Sequence, residues 1–243
     1  MAPQRPRGVD AHEPKVEPVM GALLPEQSAP LPTLSGQLYA ALDLGTNSCR
    51  MLIAQPKGSQ FLVVDSLSKT VQLGAGLEAS GKLSRASMNR TIQALRICEK
   101  KIEKHGVGRM RLVATEACRR ASNSKEFIKQ VRRETGLTIE IIGSEEEARL
   151  AVISCAPLVR AASEQLLIVD IGGGSTELVW IDLSQVDPDD RPKSIMRLSS
   201  GFDRQGLGDA RVVDWISVPL GVATLKDQFI DVEDDSARFA LMS

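Results

Sequence analysis

One short pattern occurs twice in this chain, and it restricts the possible folds more than any other feature. Ala41-Leu-Asp-Leu-Gly-Thr-Asn-Ser48 and Val169-Asp-Ile-Gly-Gly-Gly-Ser-Thr-Glu177 each place an aspartate at the end of an apolar strand. Glycine and small hydroxyl residues follow the aspartate in both segments, and such residues favour the turn of a hairpin. The repetition predicts a protein with two similar halves.

The composition of the two hairpins suits phosphate binding. Glycines let the backbone approach phosphate oxygens, and successive N–H groups with Ser or Thr hydroxyls donate hydrogen bonds to them. Asp43 and Asp170 could hold a magnesium ion, which prefers oxygen ligands, or each could only cap a turn. Likewise, Thr46, Asn47 and Ser48 either contact phosphate or shape their turn, and Gly172–Gly174 could be a flexible turn. The repetition favours the ligand interpretation.

Apolar periodicity predicts a βββαβαβα order followed by a second βββα unit, with one extra strand possible in that unit. This alternation favours a mostly parallel sheet with helices packed on it. In the first unit the predicted strands are 38–44, 48–55, 60–68, 109–115 and 138–142, and the predicted helices are 84–105, 123–135 and 144–156. In the second unit the predicted strands are 166–171, 175–181, 193–198 and 212–218, and the predicted helix is 221–230.

Three regions follow from this order. Residues 1–36 contain 7 of the 12 prolines and are predicted to be a disordered tail. Residues 37–158 are predicted to form the first domain, and residues 159–243 an incomplete second one. Because the second unit lacks a following βαβα segment, strand 166–171 is expected to be a sheet edge with unpaired backbone groups.

Composition excludes several classes of function. The net charge is −1 and aromatic residues make up 3% of the chain, which argues against binding to a nucleic-acid polymer. No apolar run approaches the roughly 20 residues of a membrane helix. Four dispersed cysteines without a CxxC pair favour reduced thiols and a cytoplasmic location. With only two histidines, a histidine metal site or a Ser-His-Asp triad is not expected.

Four segments together resemble the exopolyphosphatase/guanosine pentaphosphate phosphatase (Ppx/GppA) family of the actin-like ATPase superfamily. They are Asp43-Leu-Gly-Thr-Asn-Ser48 with Met51-Leu-Ile-Ala54, Ala114-Thr-Glu-Ala-Cys-Arg-Arg-Ala121, Ile142-Gly-Ser-Glu-Glu-Glu-Ala-Arg-Leu150 and Val169-Asp-Ile-Gly-Gly-Gly-Ser-Thr-Glu-Leu178. The resemblance implies an α/β, actin-like/ribonuclease H-like fold, with one complete βββαβαβα domain and an incomplete second one. It also implies a sheet order of 3-2-1-4-5 and a possible homodimer.

The resemblance also implies an activity, a cofactor and a set of site residues. Members hydrolyse the terminal phosphoanhydride bond of polyphosphate or guanosine pentaphosphate with Mg²⁺. By matching position, Glu147 would activate water and Arg119 would grip phosphate. Asp43 and Asp170 would lie near the metal. Phosphate would be bound by the first loop (Thr46, Asn47, Ser48) and by the second loop with its closing glutamate (Gly172, Gly173, Gly174, Ser175, Glu177).

Other interpretations stay open at this stage. Ser144 and Glu147 have the spacing of a capping box, so Glu147 could have a purely structural role. Arg119 could be an ordinary surface charge. A sugar or acetate kinase is a weaker alternative, because its nucleotide site would need the absent part of the second domain. A non-catalytic binder of polyphosphate or alarmone, or an inactive remnant, is the alternative to an enzyme.

Overall fold

The first sheet is built around the first of the two hairpins. The computed structural model describes residues 36–58, 60–198 and 209–228, so most of the predicted tail lies outside the described residues. Five strands pair in the order β3-β2-β1-β4-β5, as the resemblance implied. Their bounds are β1 Tyr39–Leu44, β2 Ser48–Lys57, β3 Gln60–Thr70, β4 Arg109–Ala114 and β5 Glu140–Ile141. Strands β2 and β3 are antiparallel to their neighbours, whereas β4 is parallel to β1 and to β5.

Four helices accompany this sheet. They are α1 Leu77–Ser80, α2 Arg85–Lys104, α3 Glu116–Arg120 and α4 Ser124–Thr135. The Ser84 hydroxyl caps α2 by accepting a hydrogen bond from the Ser87 N–H, and Gly136 ends α4 in the left-handed conformation. One face of the sheet packs on the two long helices, with Leu42 and Ile53 against Leu95 and Phe127 in one buried cluster. Helices α1 and α3 were not predicted.

The second sheet contains the second hairpin. It has three antiparallel strands in the order β6-β7-β8, namely β6 Gln165–Ile171, β7 Thr176–Asp182 and β8 Arg211–Val218. Within the described part of the chain β6 pairs only with β7, which confirms the predicted edge. Leu167, Val169 and Ile171 on β6 are 51–64% exposed.

Three further helices belong to this half: α5 Ser144–Ser154, α6 Arg191–Met196 and α7 Val222–Gln228. The last two residues of predicted helix 221–230 lie outside the described residues. The prediction of a strand at 193–198 was wrong, because this segment belongs largely to α6. Pro192 lies in the first turn of that helix, where proline needs no hydrogen-bond donor. Ile195 and Leu198 are three residues apart and both are buried, which is a helical spacing.

Helix α5 joins the two halves. Its Ala148 and Val152 are buried in a second hydrophobic cluster with Val179 and Ile181 of β7, separate from the cluster of the first sheet. By these clusters, we call residues 36–142 the first lobe and residues 143–228 the second lobe. The α5 helix precedes the predicted boundary at residue 159 but packs with elements that follow it.

Two expectations from composition can be compared with the structure. All four cysteines are free thiols. None of the helices in the described ranges is long and apolar enough to cross a membrane.

Candidate active site

A cavity of about 300 Å³ lies where the two hairpin turns meet. Asp43 and Asp170 lie near the ends of β1 and β6, just before the two hairpin turns. Because the turns meet, both aspartates reach the same cavity. Ten of the twelve predicted site residues line it: Asp43, Thr46, Asn47, Ser48, Glu147, Asp170, Gly172, Gly173, Gly174 and Ser175. Arg119 and Glu177 do not line it.

The two turns have the same backbone hydrogen bond. Gly45 N–H donates to the Ser48 carbonyl at 2.9 Å, and Gly172 N–H donates to the Ser175 carbonyl at 2.8 Å. The residues that flank the turns also correspond, since Asp43 pairs with Arg50 and Asp170 pairs with Glu177 across their hairpins. The repeat in the sequence is therefore a repeat in the structure.

The turns are in direct contact, and glycine is required where they meet. A Cβ atom at Gly173 would lie 3.1 Å from the backbone nitrogen of Asn47, and a Cβ atom at Gly174 would lie 3.2 Å from Cβ of Thr46. A Cβ atom at Gly221 would come within 2.5 Å of the Gly173 backbone. These close approaches explain Gly173, Gly174 and Gly221 better than a flexible turn does.

The Thr46 hydroxyl is a buried polar group without a partner in the part of the chain that the structure describes. Its Oγ1 atom is inaccessible to solvent and makes no hydrogen bond to any described residue, although Thr46 lines the cavity. Buried polar groups are nearly always hydrogen-bonded, and an exception calls for an explanation.

Glu147 lies in the first turn of α5, and its side chain does not cap that helix. The N-cap residue is Gly143, and no side-chain hydrogen bond caps the helix. Instead, Glu147 Oε2 accepts a hydrogen bond from Arg119 Nη1 at 2.6 Å. Glu147 Oε1 accepts no hydrogen bond from the residues that the structure describes, so it is available to a water molecule.

The surroundings of Glu147 make its carboxyl group a weak acid. Burial raises its pKa to about 7, and the negative charges of Glu177 and Asp43 act in the same direction. The attraction of Arg119 opposes this rise but does not cancel it. A carboxyl group that titrates near neutral pH can accept a proton efficiently at that pH.

Arg119 lies beside the cavity wall and bridges two residues that form it. Its Nε and Nη2 atoms donate to Glu116 Oε2 at 3.1 and 2.7 Å, and Nη1 donates to Glu147 and to the Ile142 carbonyl. Burial alone would lower the pKa of Arg119, but Glu147 and Glu116 outweigh that effect and raise it. Its role as a phosphate ligand stays a prediction.

Glu177 is buried beneath the second turn. It is 1% exposed, and its Oε1 atom accepts a hydrogen bond from the Ser217 hydroxyl at 2.8 Å. In this position it acts on the site through its charge, which raises the pKa of Glu147.

Two carboxylates could hold a magnesium ion. Asp43 is open to the cavity, but the surrounding protein still desolvates its carboxylate and raises its pKa; Arg50 lowers it and Asp170 raises it further. The described residues contain no group of three His, Cys, Asp or Glu side chains that could hold a metal ion. Magnesium commonly binds through one or two carboxylates together with substrate phosphates and water. Asp43 and Asp170 fit that requirement.

Sequence reasoning missed several residues of the cavity wall: Arg50, Thr115, Glu116 and Val222. Arg50 is a cation at the cavity, and the signal that could have found it is its place opposite Asp43 in the predicted hairpin. Glu116 lies in the short helix α3, which has no clear apolar period.

These features define an actin-like α/β fold with a cavity between two glycine-hydroxyl turns. The chain matches the Ppx/GppA phosphatase family over residues 52–238. The solved structure of the Aquifex aeolicus PPX-GPPA enzyme is 31% identical, with a TM-score of 0.59 over 85% of this chain and 60% of that chain. Another structure of the Aquifex aeolicus family member is 30% identical, with a TM-score of 0.60 over 84% of this chain and 58% of that chain. The chain therefore belongs to the Ppx/GppA family.

A more distant likeness shows the fold alone. An exopolyphosphatase from Cytophaga hutchinsonii is 22% identical, with a TM-score of 0.67 over 84% of this chain and 58% of that chain. The chain thus spans about 60% of the length of these solved relatives.

Proposed function

We propose that this protein hydrolyses the terminal phosphoanhydride bond of inorganic polyphosphate, guanosine pentaphosphate or both. One observation carries the proposal. Glu147, a carboxyl group with a pKa of about 7, shares one small cavity with two glycine-hydroxyl turns from opposite lobes. Such a site combines a base with a cradle for phosphate oxygens.

The two turns would hold the terminal phosphates. The Thr46 hydroxyl has no partner among the described residues, and it would donate to a phosphate oxygen together with Ser48, Ser175 and the turn N–H groups. Arg50, which also lines the cavity, would balance part of the negative charge. Positioning and electrostatic stabilisation provide most of the catalysis in phosphoryl transfer.

Glu147 would act as the general base. Its carboxylate takes a proton from water, the water oxygen bonds to the terminal phosphorus, and the bond from that phosphorus to the bridging oxygen breaks. The Oε1 atom, which accepts no hydrogen bond from the described residues, would orient this water. The proton then leaves with the product or with solvent when Glu147 is deprotonated again.

Arg119 would respond to the charge of the substrate. Glu116 holds the Nε–Nη2 edge of its guanidinium, while Nη1 points to Glu147. An incoming phosphate would compete with Glu147 for the Nη1 donor, because both are anions. Arg119 would then stabilise negative charge that develops on the transferred group.

Asp43 and Asp170 would hold the magnesium ion of the site. A bound magnesium ion would neutralise charge on the phosphate oxygens. Arg50 would remain close enough to Asp43 to limit the repulsion between the two aspartates, since it lowers the pKa of Asp43.

Phosphate release tests the proposal. Purified protein is incubated with magnesium and either medium-chain polyphosphate or guanosine pentaphosphate, alongside Glu147→Gln and the control Glu126→Gln. Like Glu147, Glu126 lies in the first turn of its helix, α4. Unlike Glu147, it is exposed and lies outside the cavity. We expect release by the wild type and the control, and at least about 100-fold less from Glu147→Gln.

Wild-type turnover in folded Glu147→Gln would contradict the assignment of the base. If neither the wild type nor its variants release phosphate, but the wild type binds both polyanions, the result would favour the alternative of a non-catalytic binder.

A further inference from the structure

Two consecutive glutamates on α5 each contact an arginine of the first lobe. Glu147 pairs with Arg119, as described above, and Glu146 Oε1 accepts a hydrogen bond from Arg111 Nη1 at 2.8 Å. Arg111 belongs to β4, whereas α5 packs in the core of the second lobe. The first turn of α5 is therefore joined to the first lobe by two neighbouring ion pairs.

Arg149 holds the same glutamate from the other side. Its Nε atom donates to Glu146 Oε2 at 2.6 Å, and its Nη2 atom donates to Glu146 Oε1 at 2.8 Å. Its third donor, Nη1, contacts the Leu198 carbonyl at 3.1 Å, at the end of the segment that contains α6. These contacts form a continuous chain from the first sheet to the second lobe through Glu146.

The bidentate ion pair between Arg149 and Glu146, which we call the clamp, holds the Glu146 carboxylate in a defined orientation. Bidentate pairs between a guanidinium and a carboxylate are stronger and more directional than single contacts. The side chains of Arg149 and Glu146 are only 15% and 20% exposed, so solvent weakens the pair less than it would at the surface. The hydrogen bonds from Arg149 and Arg111 lower the pKa of Glu146 to about 2, so Glu146 is ionised at neutral pH.

We propose that Arg149 is a positioning residue, which clamps Glu146 and thereby fixes the carboxylate of Glu147 relative to Arg119 and the cavity. This inference rests on the proposed function in one respect, namely that Glu147 activates the attacking water. The absence of a side-chain cap at Gly143 supports it, since the first turn of α5 must be fixed by other contacts. The ion pairs made by Glu146 and Glu147 are side-chain contacts that the structure shows in that turn.

The parallel N–H donors of the Arg149 guanidinium, which we call its fork, are essential to this role. A lysine at the same position would keep the charge but could not present two parallel donors to one carboxylate while holding a carbonyl with a third. An error of 1 Å in the placement of a reacting group can cost about 100-fold in rate. The clamp is therefore expected to affect catalysis without touching the substrate.

A measurement that needs no turnover tests the clamp directly. The coupling between Arg119 and Glu147 is obtained from a double-mutant cycle on urea unfolding, with Arg119→Met, Glu147→Gln and the double variant. The cycle is repeated in an Arg149→Met background, where we expect the coupling to fall to less than about half. The control is Arg133→Met, whose side chain is 73% exposed on α4, and it should leave the coupling unchanged.

Two milder variants keep the test decisive if Arg149→Met does not fold. Glu146→Gln removes the charge of the clamped group, and Arg149→Lys removes the fork but keeps the charge. We expect both to weaken the Arg119–Glu147 coupling, with Arg149→Lys retaining more of it. A coupling equal to that of the wild type in the folded variants would overturn the inference.

Kinetics provide the second readout. In the phosphate-release assay, Arg149→Met should lower kcat by about 10-fold to 100-fold and leave KM within about twofold, and Arg149→Lys should restore part of kcat. A loss confined to KM, or an unchanged kcat, would contradict a positioning role. If Glu147→Gln keeps full turnover, the assignment of Glu147 as the base fails, and if the wild type releases no phosphate, the proposed function fails; in both cases the coupling measurement still decides the clamp.

Discussion

The hydrogen bond of 2.6 Å between Arg119 Nη1 and Glu147 Oε2 connects the two lobes at the wall of the cavity. Arg119 belongs to α3 of the first lobe, and Glu147 belongs to α5, which packs in the core of the second. Any change in the separation of the lobes therefore alters the surroundings of Glu147. The pKa of Glu147 is therefore sensitive to how the two lobes are placed at the cavity.

The first prediction concerns stability and pH. The pKa of Glu147 is about 7 in the folded protein and has an ordinary value of 4.5, so the native state binds the extra proton between these values. The free energy of unfolding should therefore fall as pH rises from about 4.5 to about 7 through this group. Urea unfolding at several pH values should show a smaller fall in Glu147→Gln. An identical pH dependence in both proteins would contradict the raised pKa, and Glu126→Gln should behave like the wild type.

The second prediction concerns turnover and pH. The proposed base works only when it is ionised, so phosphate release should increase with pH through about 7. Initial rates at substrate concentrations well below KM, measured from about pH 5.5 to about pH 8.5, test this expectation, because kcat/KM reports the pKa of the free enzyme. Rates that are already maximal at the acid end of the range would show that another group limits catalysis.

The third prediction concerns the buried hydroxyl of Thr46, and its two effects have opposite signs. Thr46→Val should raise the free energy of unfolding by about 1 kcal/mol, because it removes a buried polar group without a partner among the described residues. The same change should weaken binding of inorganic phosphate by about 10-fold, because the bound anion loses a donor.

A matched control exists for the Thr46 variant. The Thr91 hydroxyl is also buried, but it donates to the Ser87 carbonyl at 2.9 Å, so Thr91→Val should lower stability. Urea unfolding and calorimetric phosphate titration provide the two readouts. Destabilisation by both substitutions would indicate that Thr46 is already satisfied in the ligand-free protein.

The fourth prediction concerns the contact between the two turns. In Gly174→Ala, the added methyl group would lie 3.0 Å from Glu116 Cγ and 3.2 Å from Thr46 Cβ, so the turns must move apart. We expect a loss of about 1–3 kcal/mol of stability and a clear loss of phosphate affinity. The control is Gly108→Ala, because no described atom lies within 4 Å of a Cβ at that position. Equal effects of the two substitutions would contradict a tight contact between the turns.

The fifth prediction concerns magnesium. If Asp43 and Asp170 hold the ion, magnesium should raise the thermal unfolding midpoint of the wild type, and the rise should grow with the logarithm of the magnesium concentration once that concentration exceeds the dissociation constant. Asp43→Asn and Asp170→Asn should each reduce that increase, whereas Asp190→Asn, outside the cavity, should retain it. A magnesium response that survives in both cavity variants would place the ion elsewhere.

The hairpins were predictable because their signals are local. An apolar run, an aspartate and a glycine-hydroxyl turn lie within one short segment, and both hairpins form where the sequence indicates. The spacing of Ile195 and Leu198 was ambiguous over so short a segment, and only Pro192 in the first turn marked it as a helix. Helix α3 is too short to show a period at all.

The site was less predictable because it depends on pairing between distant segments. From the sequence, Arg50 is expected to be an ordinary polar residue on the open face of a strand. In the structure, the hairpin places it opposite Asp43 and at the cavity. Arg119 and Glu177 match the motifs but contact other protein groups instead of lining the cavity. No local pattern could show that Glu147 would find an arginine instead of capping its own helix.

The two hairpins are alike in backbone but opposite in charge at one equivalent position. Arg50 faces Asp43 in the first hairpin, and Glu177 faces Asp170 in the second. Because Arg50 lines the cavity and its counterpart in the second hairpin is an acid, an anion in the cavity would be attracted more strongly toward the first turn than toward the second.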